Sequence, residues 1–143
     1  MNNLSFHITD IMTNSIRAKA SEIGLFIEER DLRITIRIAD NGLGMDAGTI
    51  ARVTNPFYTT RTTRKVGLGI PFLIQNAEQT GGAVSITSQP GKGTVVTASF
   101  CSNHIDCPPW GDLPGTVAML ITGNPDINIC FEYQAVKTVF SIS

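Results

Sequence analysis

Four short groups of residues in this chain carry types and spacings that could do chemistry. The first is Asp10 with Asn14, an acid and an amide one helical turn apart if the segment is helical. A carboxylate there could polarise water or a hydroxyl, and an amide oxygen could ligate a Mg²⁺ ion held by phosphates. The second is Asp40-Asn41-Gly42-Leu43-Gly44-Met45. Its acid could accept a hydrogen bond from an exocyclic amino group such as adenine offers, while its glycines let backbone approach a flat ring or turn tightly. The third is Gly67-Leu68-Gly69, preceded by Thr59, Thr60, Arg61, Arg64 and Lys65. A helix opening at those glycines would present free N–H groups to phosphate oxygens. The fourth is Gly91-Lys92-Gly93-Thr94. It lacks the G-x-x-x-x-G-K-[ST] spacing of a Walker loop. Taken singly, each group has a plainer reading: a solvated helix face, an Asn-Gly turn, a glycine-rich helix start beside a basic loop, a hairpin turn.

The surrounding pattern supplies elements that could position these groups. Leu4, Ile8, Ile11, Met12 and Ile16 repeat with helical period, and His7, Asp10 and Asn14 share an adjoining stripe. Alternation at Ile23, Leu25 and Ile27, then at Ile34, Ile36 and Ile38, predicts an antiparallel hairpin joined at Glu28-Glu29-Arg30-Asp31. A short helix is expected over 47–52. Residues 55–66 show no periodicity and read as a loop whose length hints at function. Ile70, Leu73, Ile74 and Ala77 predict a helix with Pro71 in its first turn and Gly81-Gly82 as its stop. Strands are expected over 83–88 and 94–100.

Beyond Cys101 the chain changes character. Cys107-Pro108-Pro109-Trp110-Gly111 reads as a connector with Trp110 as a packing anchor. A helix over 113–122 is opposed by Pro114 and Gly115. Residues 127–133 and 136–142 read as a terminal hairpin. Cys101-x-x-His104-x-x-Cys107 has near-metal spacing, with Cys130 as a fourth ligand, against the plainer reading of small apolar side chains.

Bulk properties narrow the class. The chain has 143 residues, 42% hydrophobic and 16% charged, with net charge −1. That is a globular chain with no charge signature of a nucleic-acid or membrane-surface partner. No apolar run reaches the length of a membrane span, and Met1-Asn2-Asn3 lacks the start of a signal peptide. Three cysteines do not make a disulfide framework. A reducing cytoplasm is the expected location.

Order and spacing tie the four groups together. Asp10 with Asn14, Asp40 through Met45, Asn55-Pro56-Phe57-Tyr58-Thr59-Thr60, Gly67-Leu68-Gly69 and Gly91 through Thr94 resemble the N, G1, F, G2 and G3 boxes of the GHKL (histidine kinase-like) ATPase superfamily. The resemblance spans roughly residues 4–101. The 55–70 stretch is most like bacterial sensor histidine kinases, and the stretch from Asn14 to Ala20 is closer to the MutL type. The whole is most similar to small stand-alone ATP-binding proteins of anaerobic bacteria.

The resemblance implies an α+β fold: a two-layer α/β sandwich (the Bergerat, or HATPase_c, fold) whose mixed, mostly antiparallel sheet is covered on one face by helices. It implies ATP and Mg²⁺ as ligands. Asn14 would ligate the metal and Asp40 would read the adenine amino group. Gly42, Gly44 and Met45 would line the base, and Thr94 would support Asp40 through water. Phe57, Thr59, Thr60 and Arg61 would belong to a lid, and either Lys65 or Arg64 would reach the γ-phosphate. Gly67, Leu68 and Gly69 would offer N–H groups to the phosphates. Asp10 stands where hydrolysing relatives carry a glutamate base, one methylene longer.

Residues 1–103 would form the ATP-binding domain and 104–143 an extension packed on the same sheet. The motif helix begins near residue 4, which leaves no room for a phosphoacceptor hairpin. Neither His7 nor His104 has a phosphoacceptor's context. The usual first strand is missing, and the hairpin over 127–142 is expected to replace it at the sheet edge. Implied functions are a regulatory phosphotransferase acting on a separate protein, a slow ATPase switch, a non-catalytic ATP-sensing module, or the catalytic piece of a two-component kinase. Homodimers are common among such relatives.

Overall fold

In the computed structural model, which describes residues 3–54 and 69–136, helical and extended segments follow the predicted order closely. Helix α1 runs Leu4–Arg17, capped by the Asn3 side chain, which accepts the Phe6 N–H at 2.7 Å. Its stripe of Leu4, Ile8, Ile11 and Met12 is buried, and Ile16 packs half-buried on the same core.

Strands β1 (Glu22–Arg30) and β2 (Arg33–Asp40) pair antiparallel, with Arg30 opposite Arg33. The connection is therefore Asp31-Leu32, not the predicted Glu28 to Asp31. Both turn residues have left-handed backbone, φ 51° and 64°, as a two-residue hairpin turn requires. Polar Glu28, Glu29 and Arg30 stay in the strand because they pair with a neighbour on each side.

Helix α2 is Ala47–Val53, with Asp46 as its cap, accepting the Thr49 N–H at 2.8 Å. That bond holds the Asp46 carboxyl below its usual range. Helix α3 is Gly69–Gln79. It ends as predicted: Gly81, at φ 88°, and Gly82 donate to the carbonyls of Glu78 and Ala77. Strands β3 (Ala83–Gln89) and β4 (Gly93–Cys101) form the next hairpin. Helix α4, Leu113–Gly123, starts with Pro114 in its first turn and Asp112 as cap. Proline there removes an N–H that has no intrahelical partner, so it initiates this helix rather than opposing it.

The predicted terminal hairpin is corrected. Residues Asn128–Val136 run as one strand, β5, without a turn near Gln134. Parallel pairing with β1, from Glu22 opposite Asn128 to Arg30 opposite Val136, keeps them extended. The remainder of the predicted second strand, 137–142, lies outside the described residues.

Among the described residues the sheet order is β3-β4-β2-β1-β5, parallel only between β1 and β5, which makes it mixed and mostly antiparallel. Alternation sends Ile23, Leu25, Ile27, Ile34, Ile36, Ile38, Val96, Ala98 and Phe100 to one face, where they are buried in the core shared with α1, α3 and α4. The opposite face carries Phe26, Thr35, Arg37 and Thr97, with the Arg37 guanidinium 5.4 Å from the Phe26 ring centre. This is the expected two-layer α+β sandwich.

The connector after β4 closes on α1. Leu4 donates its N–H to the Pro109 carbonyl at 2.8 Å, and Ser5 donates both N–H and hydroxyl to the Trp110 carbonyl at 3.0 and 2.6 Å. These bonds satisfy donors that a helix start leaves open. The Trp110 ring packs on Tyr133 of β5, whose hydroxyl donates to Glu29. No helix among the described residues is long and apolar enough to cross a membrane.

His7 keeps the helical spacing that it shares with Asp10 and Asn14, but it is buried in the core, 1% exposed. Its Nε2 lies 2.8 Å from the Asn76 amide nitrogen of α3, and its ring packs against Phe72 and Phe100. Burial lowers its pKa from 6.5 to about 4. The unfolded imidazole takes a proton near pH 6.5, the folded one only near 4. Stability therefore rises with pH through that window, by on the order of 3 kcal/mol from this group. Thermal melts from pH 7 down to pH 4 should show a falling midpoint, and His7→Phe should flatten the slope; an equal slope in both proteins would exclude His7 as its source.

Candidate functional site

The site is built around the end of β2. Because Ile34, Ile36 and Ile38 face the helices, period-two alternation turns Asp40 to the same side, opposite Thr94 of β4. Its carboxylate lies beside the last turn of α1. Ser15 donates its hydroxyl to Asp40 Oδ2 at 2.5 Å, and Gly42 donates its N–H to Oδ1 at 2.8 Å. Two donors from different elements fix the carboxylate's plane.

The loop after Asp40 is tied on two sides. Asn41 Oδ1 accepts the N–H groups of Ser21 and Glu22, both at 2.9 Å, and Leu43 donates its N–H to the Ala18 carbonyl at 2.8 Å. The Gly91 N–H donates to the Leu43 carbonyl at 2.6 Å. Gly44 has φ 74°, and a Cβ there would overlap the Gln89 carbonyl oxygen. Gly93 has φ 120°, and its Cβ would overlap the Asp40 carbonyl oxygen. The G-x-G and G-K-G patterns thus let the Asp40 loop and the β3–β4 turn touch backbone to backbone. Gly44→Ala should cost about 1–3 kcal/mol from left-handed strain and overlap. That would lower the melting midpoint by several degrees; an unchanged midpoint would mean the turn gives way freely.

Beside Asp40, Thr94 Oγ1 and Ser88 Oγ are 2.7 Å apart. Ser88 donates to the Gly93 carbonyl at 2.9 Å and accepts the Met45 N–H at 2.8 Å. With Ser88's proton committed, Thr94 donates to Ser88 and keeps its lone pairs for the cavity.

That cavity has a volume of about 290 Å³, close to the lower end of small-molecule sites, about 300 Å³. Among the predicted site residues, Asn14, Asp40, Gly44, Met45 and Thr94 line it. Ser15 and Arg17 of α1, Thr49 of α2 and Ile70 of α3 line it as well. Gly42 is buried against Ala18 instead, outside the cavity wall. Gly69 opens α3 next to Ile70. Asp10 sits one turn back along α1 and is not part of the wall. Phe57, Thr59, Thr60, Arg61, Lys65, Gly67 and Leu68 lie outside the described residues.

Asp10 is half-buried, and burial pushes its carboxyl above the usual range, with Arg17 partly opposing. The Asn14 side-chain amide makes no hydrogen bond among the described residues, so its oxygen is available to a hard cation such as Mg²⁺. Ser15, Arg17 and Ser88 were missed from the sequence. Ser15 had a signal: it falls on the apolar stripe of α1, where a serine is out of place. Arg17 had one too, three residues from Asn14 and so on the same side of the helix.

The cysteine–histidine spacing does not make a metal centre. Two successive turns, His104 N–H to the Cys101 carbonyl and Cys107 N–H to the His104 carbonyl, connect the three residues. The His104 Nδ1 accepts the Asp106 N–H at 3.0 Å, and Cys130 is exposed on β5. The described residues contain no cluster of three or more His, Cys, Asp or Glu side chains able to hold a metal.

Residues 3–103 match the family described as Histidine kinase-, DNA gyrase B-, and HSP90-like ATPase. Among curated proteins, the chain is similar to sensor histidine kinase YxdK of Bacillus subtilis, 30% identical over 106 residues, covering 68% of this chain and 32% of that protein. It is similar to sensor protein kinase FleS of Pseudomonas aeruginosa, 35% identical over 93 residues, covering 63% and 23%. It is similar to sporulation kinase E of Bacillus subtilis, 31% identical over 97 residues, covering 66% and 13%. The chain spans a third or less of the length of these relatives.

Proposed function

Since the chain belongs to the histidine kinase-, DNA gyrase B- and HSP90-like ATPase family, we propose that it binds Mg²⁺-ATP in the cavity beside Asp40 and transfers the γ-phosphoryl group to a separate protein. One observation carries the reading: Asp40, held by two donors, shares one cavity with Asn14, Met45 and Thr94.

In this reading Asp40 accepts the adenine 6-amino group, and Thr94 supports it through water. Gly44 and Met45 flank the ring, while Gly42 acts through the Asp40 carboxylate. Arg17 reaches the phosphates from α1, and Asn14 supplies an amide oxygen to the metal. Bound Mg²⁺ would neutralise charge on the phosphate oxygens. Gly67, Leu68 and Gly69 would offer N–H groups to the phosphates, Phe57, Thr59, Thr60 and Arg61 would belong to the lid, and Lys65 or Arg64 would reach the γ-phosphate. These lid and phosphate roles rest on the family pattern. Asp10 takes the proton of an acceptor hydroxyl as its oxygen bonds to the γ-phosphorus; the bond to the β–γ bridging oxygen breaks and ADP leaves. A carboxyl raised by partial burial suits a base better than an ordinary one. The reaction draws on cytoplasmic ATP. Residues 1–103 carry it, and 104–143 form an extension on the same sheet, which the β1–β5 pairing supports.

The test is incubation with γ-labelled ATP, alone and with candidate partner proteins. Label on a partner hydroxyl is the expected result. Free phosphate without label would replace transfer by a hydrolytic switch. Binding with neither product would leave an ATP-sensing module.

A further inference from the structure

We infer that Ser15 is a positioning residue that makes Asp40 selective for a purine bearing a 6-amino group; the inference rests on the nucleotide reading above. Ser15 is 3% exposed yet borders the cavity. Its hydroxyl has one proton and two acceptors within reach, the Ile11 carbonyl at 3.5 Å and Asp40 Oδ2 at 2.5 Å. Serine inside a helix commonly bonds back to the carbonyl four residues earlier. Here the carboxylate wins, since the shorter contact falls in the range of charge-assisted O–H···O⁻ bonds.

The consequence for recognition is geometric. A carboxylate has about four acceptor positions. Gly42 occupies one on Oδ1 and Ser15 one on Oδ2. The carboxylate cannot rotate without breaking one of these bonds. Its remaining lone pairs keep a fixed direction, and a ligand N–H must arrive along it. Without the Ser15 hydroxyl, Gly42 alone holds the group, and Oδ2 is free to swing or to take water. Ser15 also follows Asn14 directly, so one helical turn carries both the residue at the metal and the residue that orients the base reader.

Loss of the hydroxyl should weaken the contact to the 6-amino group and leave the rest of the ligand's interactions in place. The experiment titrates the full chain with Mg²⁺-ATP and with purine ribonucleoside triphosphate, which lacks only that amino group. Wild type should prefer ATP. Ser15→Ala should weaken ATP about ten-fold and the analogue less than about two-fold, because the analogue never used the contact. Ser15→Thr, which keeps the hydroxyl, should restore the preference. Equal weakening of both ligands, or no change in either, overturns the assignment. Wild type binding both ligands equally overturns it too, since Asp40 then reads no amino group. Wild type binding neither removes the nucleotide reading itself, a different failure.

Discussion

Asp10→Asn is expected to lower phosphate release or transfer by about 10²–10⁴-fold, the contribution of a positioned general base, while ATP affinity stays within about two-fold. The split follows from placement. Asp10 lies one turn from Asn14 on α1 and outside the cavity wall, so the resting ligand should not depend on it. Its half-buried carboxyl is pushed up by desolvation, which would suit it to accept a proton. Asparagine keeps the shape and removes the basicity. Single-turnover assays beside equilibrium titration separate the two effects. Unchanged turnover would remove Asp10 as base. Lost affinity would mean that it touches the ligand directly.

Asp40→Asn should act on the other side of that division, weakening ATP roughly ten- to hundred-fold, the range of hydrogen bonds to charged groups. An amide presents one oxygen and one NH₂. The Gly42 N–H needs the oxygen, which places the NH₂ toward Ser15 and removes the second acceptor. Ser15 can rotate to accept, so the fold should survive and the melting midpoint should move little. Titration calorimetry with Mg²⁺-ATP measures the effect. Retained affinity would count against the whole cavity as the adenine site.

What could be read from residues alone was mostly what has a period. The stripe of α1 and the alternation of β1, β2 and β4 each name a buried face, and those faces are the core. Asn14, Asp40 and Thr94 were legible because their types are unusual at a helix face, a strand end and a turn. Long-range pairing was less legible. Nothing local in residues 128–136 says that they lie parallel to β1 rather than folding back, since that choice belongs to the open edge of another strand. Glu28 and Glu29 looked like a turn because polarity signals exposure, and a strand near a sheet edge can be exposed and extended together. Ser15 and Ser88 were missed because a small hydroxyl's role depends on what faces it, Asp40 in one case and Thr94 in the other. The burial of His7 was missed for a related reason. A histidine enters a core when one ring nitrogen finds a partner, and Asn76 lies on a helix far along the chain.

The pairing of β1 with β5 also has a bearing on synthesis. Glu22 meets Asn128, and the start of α1 meets Pro109 and Trp110, so these segments wait for ones about a hundred residues later. Loop closure over such separations slows folding. On the ribosome, every predicted nucleotide contact is translated before β5, yet the sheet behind α1 has no outer strand until β5 emerges. If the cavity is the nucleotide site, the ligand affinity of a nascent chain should rise only once β5 has emerged and paired with β1.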